Sequence, residues 1–176
     1  MKTNFERGQL NAQDDLNENF EEIKEFMEAP TPLQIYFGKG SDLPDVVSGT
    51  PLNLGSISGI DMYHSNKDLP FDVTDNNTTL TMKRDCALHV AGVAKIHGDN
   101  SINYTYVKIR RNGVEDDFIA YGTGTNFNYQ TYLAGAYVFN DLKAGDKVTF
   151  TVEIASGKKL FRGRMNNLVV TEIKVM

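Results

Sequence analysis

With only one cysteine, Cys86, among its 176 residues, the chain can form no internal disulfide and no Cys-based zinc site. Histidine is scarce as well. His64, His89 and His97 form neither an HxxxH nor an HExxH pair, so the common catalytic zinc motifs are absent. No GxSxG elbow occurs, which removes the signature of an α/β-hydrolase. No stretch approaches the ~18 uninterrupted apolar residues of a membrane-spanning helix. Positive charge is in deficit, with 18 Lys and Arg against 23 Asp and Glu, a net charge of -5 and a pI near 5.2. That balance argues against nucleic acid or an acidic membrane as partner, since a basic patch supplies most of the affinity for either. Met1-Lys2-Thr3-Asn4-Phe5-Glu6-Arg7 lacks the apolar core of a signal peptide, so the expectation is synthesis and folding in a cytoplasm.

What the chain does have is enough apolar substance for a core. It is 40% hydrophobic and 23% charged, with ten Phe and eight Tyr, which excludes a disordered chain. A domain of ~150 residues buries about 70% of its unfolded surface, so no metal or disulfide is needed to hold it together. The length fits one domain with a short appendage.

The appendage is residues 1–32. In its second half Leu16, Phe20, Ile23 and Met27 recur at spacings of four, three and four, the a/d seam of a helix. Asp14 or Asp15 can cap its start; with Asp15 as cap, Glu18 takes the capping-box position, and Pro30 and Pro32 end the helix. About four turns are too few to be stable alone in water, so the helix either lies on its own domain or associates with copies of itself.

From residue 33 to 176 the pattern is β. Short runs rich in Val, Ile, Thr, Tyr and Phe alternate with Gly, Asn and Asp. Candidate strands are 33–37, 52–58, 61–64, 79–82, 87–96, 102–110, 118–122, 128–139, 147–154, 160–162 and 168–175. Turn signals include Arg111-Asn112-Gly113 and Lys143-Ala144-Gly145-Asp146. Such spacing predicts an all-β sandwich, and no helical segment interrupts it to make a parallel sheet. Tyr104 with Tyr106, Phe127 with Tyr129, and Tyr137 with Phe139 each share a strand face, while Val107, Ile109 and Val138 occupy the opposite parity. Strands apolar on both faces are read either as exposed tyrosine, common on β-surfaces, or as an outer face buried against another subunit, where Tyr and Phe are enriched. Tyr106, Tyr137 and Phe139 are the expected seam residues in the head.

Sites for chemistry are few. Glu115, Asp116 and Asp117 follow the Asn112-Gly113 turn and are candidates to hold calcium, without the spacing of an EF-hand; a solvated hairpin is the plainer reading. No cofactor is otherwise indicated. Asp72, Asp75, Asn76 and Asn77 form a second polar loop. His89 and Cys86 read as structural groups of one apolar strand. Gly122-Thr123-Gly124-Thr125 reads as a flexible connection, and Lys158, Lys159, Arg162 and Arg164 as a solvated loop.

Two stretches resemble known families. Ala12-Gln13-Asp14-Asp15-Leu16-Asn17-Glu18-Asn19-Phe20-Glu21-Glu22-Ile23 resembles a segment near the N-termini of bacteriophage tail-fibre and baseplate proteins, where it begins a short helix joining a trimeric shaft. Residues 80–154 resemble the C1q/TNF-like jelly roll, in Leu80-Thr81-Met82 leading to Ala87-Leu88-His89-Val90-Ala91-Gly92, in Val107-Lys108-Ile109-Arg110-Arg111-Asn112-Gly113, and in Leu142-Lys143-Ala144-Gly145-Asp146-Lys147-Val148. The sequence departs from that pattern at Asp85-Cys86-Ala87-Leu88, where Gly and an aromatic are usual, and carries no Gly-X-Y stem. Together the resemblances imply a homotrimeric jelly-roll head on a coiled-coil stem, made in a host cytoplasm and carried on a virion. The stem would join other virion proteins, and the head would adhere to a host-surface saccharide or protein, without enzymatic activity or membrane insertion. Exposed aromatics and amides of such heads bind sugars, which nominates Tyr104, Asn126, Asn128, Tyr129 and Tyr132. The alternatives are a decoration or connector fibre with no receptor role, and a C1q/TNF-like trimeric ligand.

Overall fold

The computed structural model describes residues 17, 19, 20, 32–61, 68–98, 102–123 and 130–173. The chain divides into two compact units, Met1–Thr31 and Pro32–Met176. In the first, Asn17, Asn19 and Phe20 have helical backbone, and the other seam residues Leu16, Ile23 and Met27 lie outside the described residues.

The second unit is an all-β sandwich. Its strands are β1 (Leu33–Phe37), β2 (Leu43–Val46), β3 (Ile57–Ile60), β4 (Phe71–Thr74), β5 (Thr79–Met82), β6 (Cys86–His97), β7 (Tyr104–Arg111), β8 (Val114–Thr123), β9 (Thr131–Leu142), β10 (Lys147–Ile154) and β11 (Leu160–Ile173). They form two sheets. One runs β3-β1-β11-β6-β9, with β2 also paired to β11; the other runs β4-β5-β10-β7-β8. All of these pairings are antiparallel. The first and last strands are neighbours, and β10 lies between β5 and β7. These crossovers are those of a jelly roll, in which hairpins are folded over onto two sheets.

Period-two patterning explains the core. On β10 Val148, Phe150, Val152 and Ile154 point inward, and on β6 Leu88, Val90, Ala94 and Ile96 do so from the facing sheet; all are buried. Ile35, Leu80, Val107, Ile109, Leu142, Leu168 and Val170 complete the filling. The β7–β8 hairpin turns at Asn112-Gly113, whose φ values of 53° and 80° match a two-residue turn that needs positive φ at both positions.

Several expected strands differ from those observed. Residues 52–56 are irregular. Leu52 and Leu54 are fully buried there, but Gly55 takes φ 83° and Asn53 ties the segment to two loops, so the run fills the core without joining a ladder. The expected strand at 61–64 falls mostly on undescribed residues, and Asp61 is outside any strand. The runs 160–162 and 168–175 are one strand, β11, because a bulge between Met165 and Asn167 absorbs the register change. Strands β2 and β4 were not expected, being four residues each and interrupted by Pro44 or Asp72.

Candidate functional site

The two outward faces of the sandwich differ in chemistry. The β4-β5-β10-β7-β8 sheet presents an ordinary solvated face, with Thr81, Lys147, Thr149, Glu153, Lys108 and Arg110 pointing out. Lys108 bridges Glu115 and Glu153, which hold its ammonium pKa above the usual value through hydrogen bonds, against a small opposing effect of desolvation. One corner of this face is aromatic. The Tyr106 ring lies 5.5 Å from Tyr104, 5.6 Å from Phe118 and 5.8 Å from Tyr121. Phe118 and Tyr121 are exposed.

The face of the β3-β1-β11-β6-β9 sheet is different. Cross-strand pairing sets its outward residues in rows. One row is Tyr36, Val169, Ala91 and Ala136. The next is Gln34, Thr171, His89 and Val138, and on the other side of the first lie Asn167, Val93 and Ala134. No Lys, Arg, Asp or Glu occurs in these three rows. Tyr36 and Val138 are 41% and 42% exposed, and Ala134 and Ala136 are exposed as well, so the apolar groups face outward and are not core. Charge depletion with small and aromatic apolar groups is the composition of a protein–protein interface core.

Of the three residues expected in the head seam, Tyr106 lies on β7 of the other sheet, and Tyr137 and Phe139 lie on β9. Tyr106 points outward from the opposite sheet. Phe139 is in the core, 2% exposed, because it shares inward parity with Leu133 and Tyr137 on β9. Tyr137 has the same inward parity and is half-buried. Its ring meets Phe139 edge-on at 4.9 Å, and its hydroxyl donates to Asp116 at 3.1 Å. Burial, then this carboxylate, raise the Tyr137 phenol pKa. The rows of Ala and Val are not legible in the sequence, because small apolar residues mark no strand face until cross-strand register aligns them. The available signal was the uncharged outward parity of Gln34–Tyr36, His89–Val93, Ala134–Val138 and Asn167–Thr171.

Of the candidate ligand residues, Tyr104 belongs to the aromatic corner and Tyr132 is exposed on the other sheet, on β9. The structure therefore does not bring these two together, and Asn126, Asn128 and Tyr129 lie outside the described residues. The three carboxylates nominated for calcium do not converge. Glu115 pairs with Lys108, Asp116 accepts from Tyr137, and Asp117 accepts from the Phe118 amide at 2.7 Å. Among the described residues no group of three His, Cys, Asp or Glu is placed to hold a metal ion. Cys86 is half-buried, 3.7 Å from the Met82 sulfur, and burial raises its thiol pKa to about 11. The polar loop Asp75-Asn76-Asn77 turns β4 into β5 through three positive φ values, and Asn76 accepts from the Asn53 amide. The basic run is split. Lys158 and Lys159 are exposed at a turn, whereas Arg164 lies on β11, 6% exposed and paired with Asp42.

No family model matches the chain, and no curated protein sequence matches it. Solved structures do. The globular domain of zebrafish complement 1qA protein aligns with TM-score 0.52 at 12% identity, over 82% of this chain and 96% of that one. The Eiger TNF of S. frugiperda aligns with TM-score 0.59 at 11% identity, over 83% and 96%. Murine APRIL aligns with TM-score 0.55 at 11% identity, over 81% and 100%. The chain thus has the C1q/TNF-like jelly-roll fold. At such identities the likeness is one of fold.

Proposed function

We propose that the chain is a self-associating binding head, a homotrimer whose seam is the uncharged outer face of the β3-β1-β11-β6-β9 sheet, and that it is a ligand-binding protein and not an enzyme. The observation that carries this is the contrast between the two outer faces. A solvated sheet face shows polar residues at its outward positions, as the opposite sheet does, whereas three consecutive rows without charge leave apolar surface in water unless another surface covers it. The C1q/TNF-like fold and the seam spacing of Leu16, Phe20, Ile23 and Met27 support three as the copy number. Three weak sites on one rigid head would bind a repeating surface polymer ~10²–10⁴-fold better than one. The segment Ala12 to Ile23 is the sole support for the finer reading, in which the head is carried on a phage tail fibre or baseplate and adheres to a host-surface saccharide or protein. A C1q/TNF-like ligand for a protein receptor is the second reading, favoured by the fold neighbours.

Light scattering on the purified chain tests the assembly. The expected mass is three times the 19.7 kDa of one chain, and a monomer at micromolar concentration overturns the seam. Adsorption of the labelled protein to bacterial cells and to their isolated wall polysaccharide tests the adhesion reading. Retention on neither leaves the ligand reading in its place.

A further inference from the structure

Past the apolar rows, toward the C-terminal end of β6, the same face becomes cationic. Arg164 stands directly opposite Lys95, and Arg162 opposite His97, in the β11–β6 ladder. Like charges directly opposite one another in an antiparallel pair, as Arg164 and Lys95 are, are unfavourable unless a counter-charge is present. Asp42 supplies one, at 3.1 Å from the Arg164 guanidinium. Among the described residues nothing comparable serves Lys95 or Arg162. The Lys95 ammonium and the Arg162 guanidinium have no ion-pair or hydrogen-bond partner among the described residues, and Arg164 Nε, buried, is likewise without one. Three cations therefore face a single carboxylate. Lys95, His97, Arg162, Gln130 and Asp42 line a cleft of ≈ 70 Å³. That is several times the ~10–15 Å³ one water-sized sphere requires, and it suits a single oxyanion group.

We infer that this cleft binds one oxyanion group, a carboxylate, sulfate or phosphate, carried by an acidic saccharide. Lys95 and Arg162 would supply the charge, with donors on two adjacent strands, and Gln130 a neutral amide. Charge-assisted hydrogen bonds of this kind are the strong ones, and the Arg fork matches the planar edge of an oxyanion. The cleft is lined on β6 by Lys95 to His97, four to six residues from Ala91, about 13–20 Å from the middle of the apolar rows at ~3.3 Å per residue. It is thus at the rim of the proposed seam. The choice of a saccharide as carrier rests on the binding-head reading, while the oxyanion site itself rests on one chain alone.

The test is fluorescence polarisation with three labelled oligosaccharides of equal length, one sulfated, one uronate-bearing and one neutral, with inorganic phosphate as unlabelled competitor. An acidic oligosaccharide should bind and the neutral one should not. Lys95→Gln and Arg162→Gln should each weaken binding about tenfold, the loss expected for one charge-assisted hydrogen bond. Lys95→Arg should keep most of it, and Lys147→Gln, on the opposite sheet, should change nothing. Thermal melting by circular dichroism verifies that each variant is folded. If phosphate binds with the same dependence on Lys95 and Arg162 while no oligosaccharide does, the oxyanion site stands and the saccharide carrier is overturned. Equal binding of the neutral oligosaccharide, unchanged binding by the Lys95→Gln/Arg162→Gln double variant, or no binding of any probe overturns the site. Light scattering on the same samples separates these outcomes from failure of the seam.

Discussion

Asn53 shows how much one side chain can organise. Its Oδ1 accepts from the Ser41 amide at 2.9 Å and the Gly55 amide at 3.1 Å, and its Nδ2 donates to the Asn76 carbonyl at 2.8 Å. It is 8% exposed, so these groups have little water to replace one another with. Asn53→Ala leaves several partners unmade in a buried setting and should cost about 3 kcal/mol in urea unfolding, since each net hydrogen bond contributes ~0.5–1.5 kcal/mol and each orphaned buried group adds to the loss. A change under ~0.5 kcal/mol, typical of a surface substitution, would contradict this role. Cys86 gives a second prediction at this scale. Burial holds its thiol at about 11, above the ordinary free thiol. At pH 8 its alkylation by iodoacetamide should therefore run about two orders of magnitude slower than that of a free cysteine near 8.5, and quicken steadily as pH rises toward that value. Reaction at the free-thiol rate would place the sulfur in water.

At the scale of elements, the β7–β8 turn is locked to the turn before β10. Asp146 accepts from Arg111 at 2.9 Å, from Asn112 at 2.7 Å and from the Lys143 amide at 2.8 Å. Desolvation pushes the Asp146 carboxyl up, and these donors outweigh it, so the folded pKa lies below the ordinary 3.8. A depressed carboxylate stabilises the fold fully above its unfolded pKa and loses that contribution as pH falls through the folded one. The wild type should lose stability below pH ~4 more steeply than Asp146→Asn, measured as urea midpoints from pH 6 to 2; parallel curves would remove Asp146 from the lock. A second element-scale feature is the approach of β9 to β8, where a methyl group on Gly135 would overlap the Ile119 carbonyl oxygen. Gly135→Ala should cost about 3 kcal/mol, the upper end of overpacking, or leave the chain insoluble. These elements also show what was legible beforehand. β1, β5 and β10 follow from local patterning, because each alternates cleanly between turn signals. β2 and β4 did not, since strands of four residues at a sheet edge carry too few alternations to stand out from loop. Residues 52–56 read as strand because their leucines alternate, yet the alternation there serves a plug tied by Asn53, which no local pattern announces. The uncharged face escaped for a related reason. Ala91, Ala134, Ala136 and Val169 are unremarkable singly, and only cross-strand register gathers them.

For the whole molecule, a seam on the uncharged face would make association and stability inseparable. Ala91 and Ala136 sit side by side at the middle of the uncharged rows, on β6 and β9, with small side chains that let another surface approach closely. A carboxylate at either position adds charge to the seam without touching the core, since both point outward. Ala136→Glu should leave a folded jelly roll, by far-ultraviolet circular dichroism, whose mass in light scattering falls to that of one chain. Phe20→Asp should weaken association less, because the helix the sequence predicts around it would be too short to be stable by itself. Melting supplies the independent check. Mass action makes the Tm of an oligomer rise with protein concentration, whereas a monomer's does not move. The wild-type Tm should climb by several degrees between ~1 and ~100 μM, and Ala136→Glu should melt lower and at one temperature across that range. If the wild type melts at a concentration-independent temperature and Ala136→Glu melts with it, the rows of alanine and valine face water in the working protein, and the seam must be sought elsewhere on the sandwich.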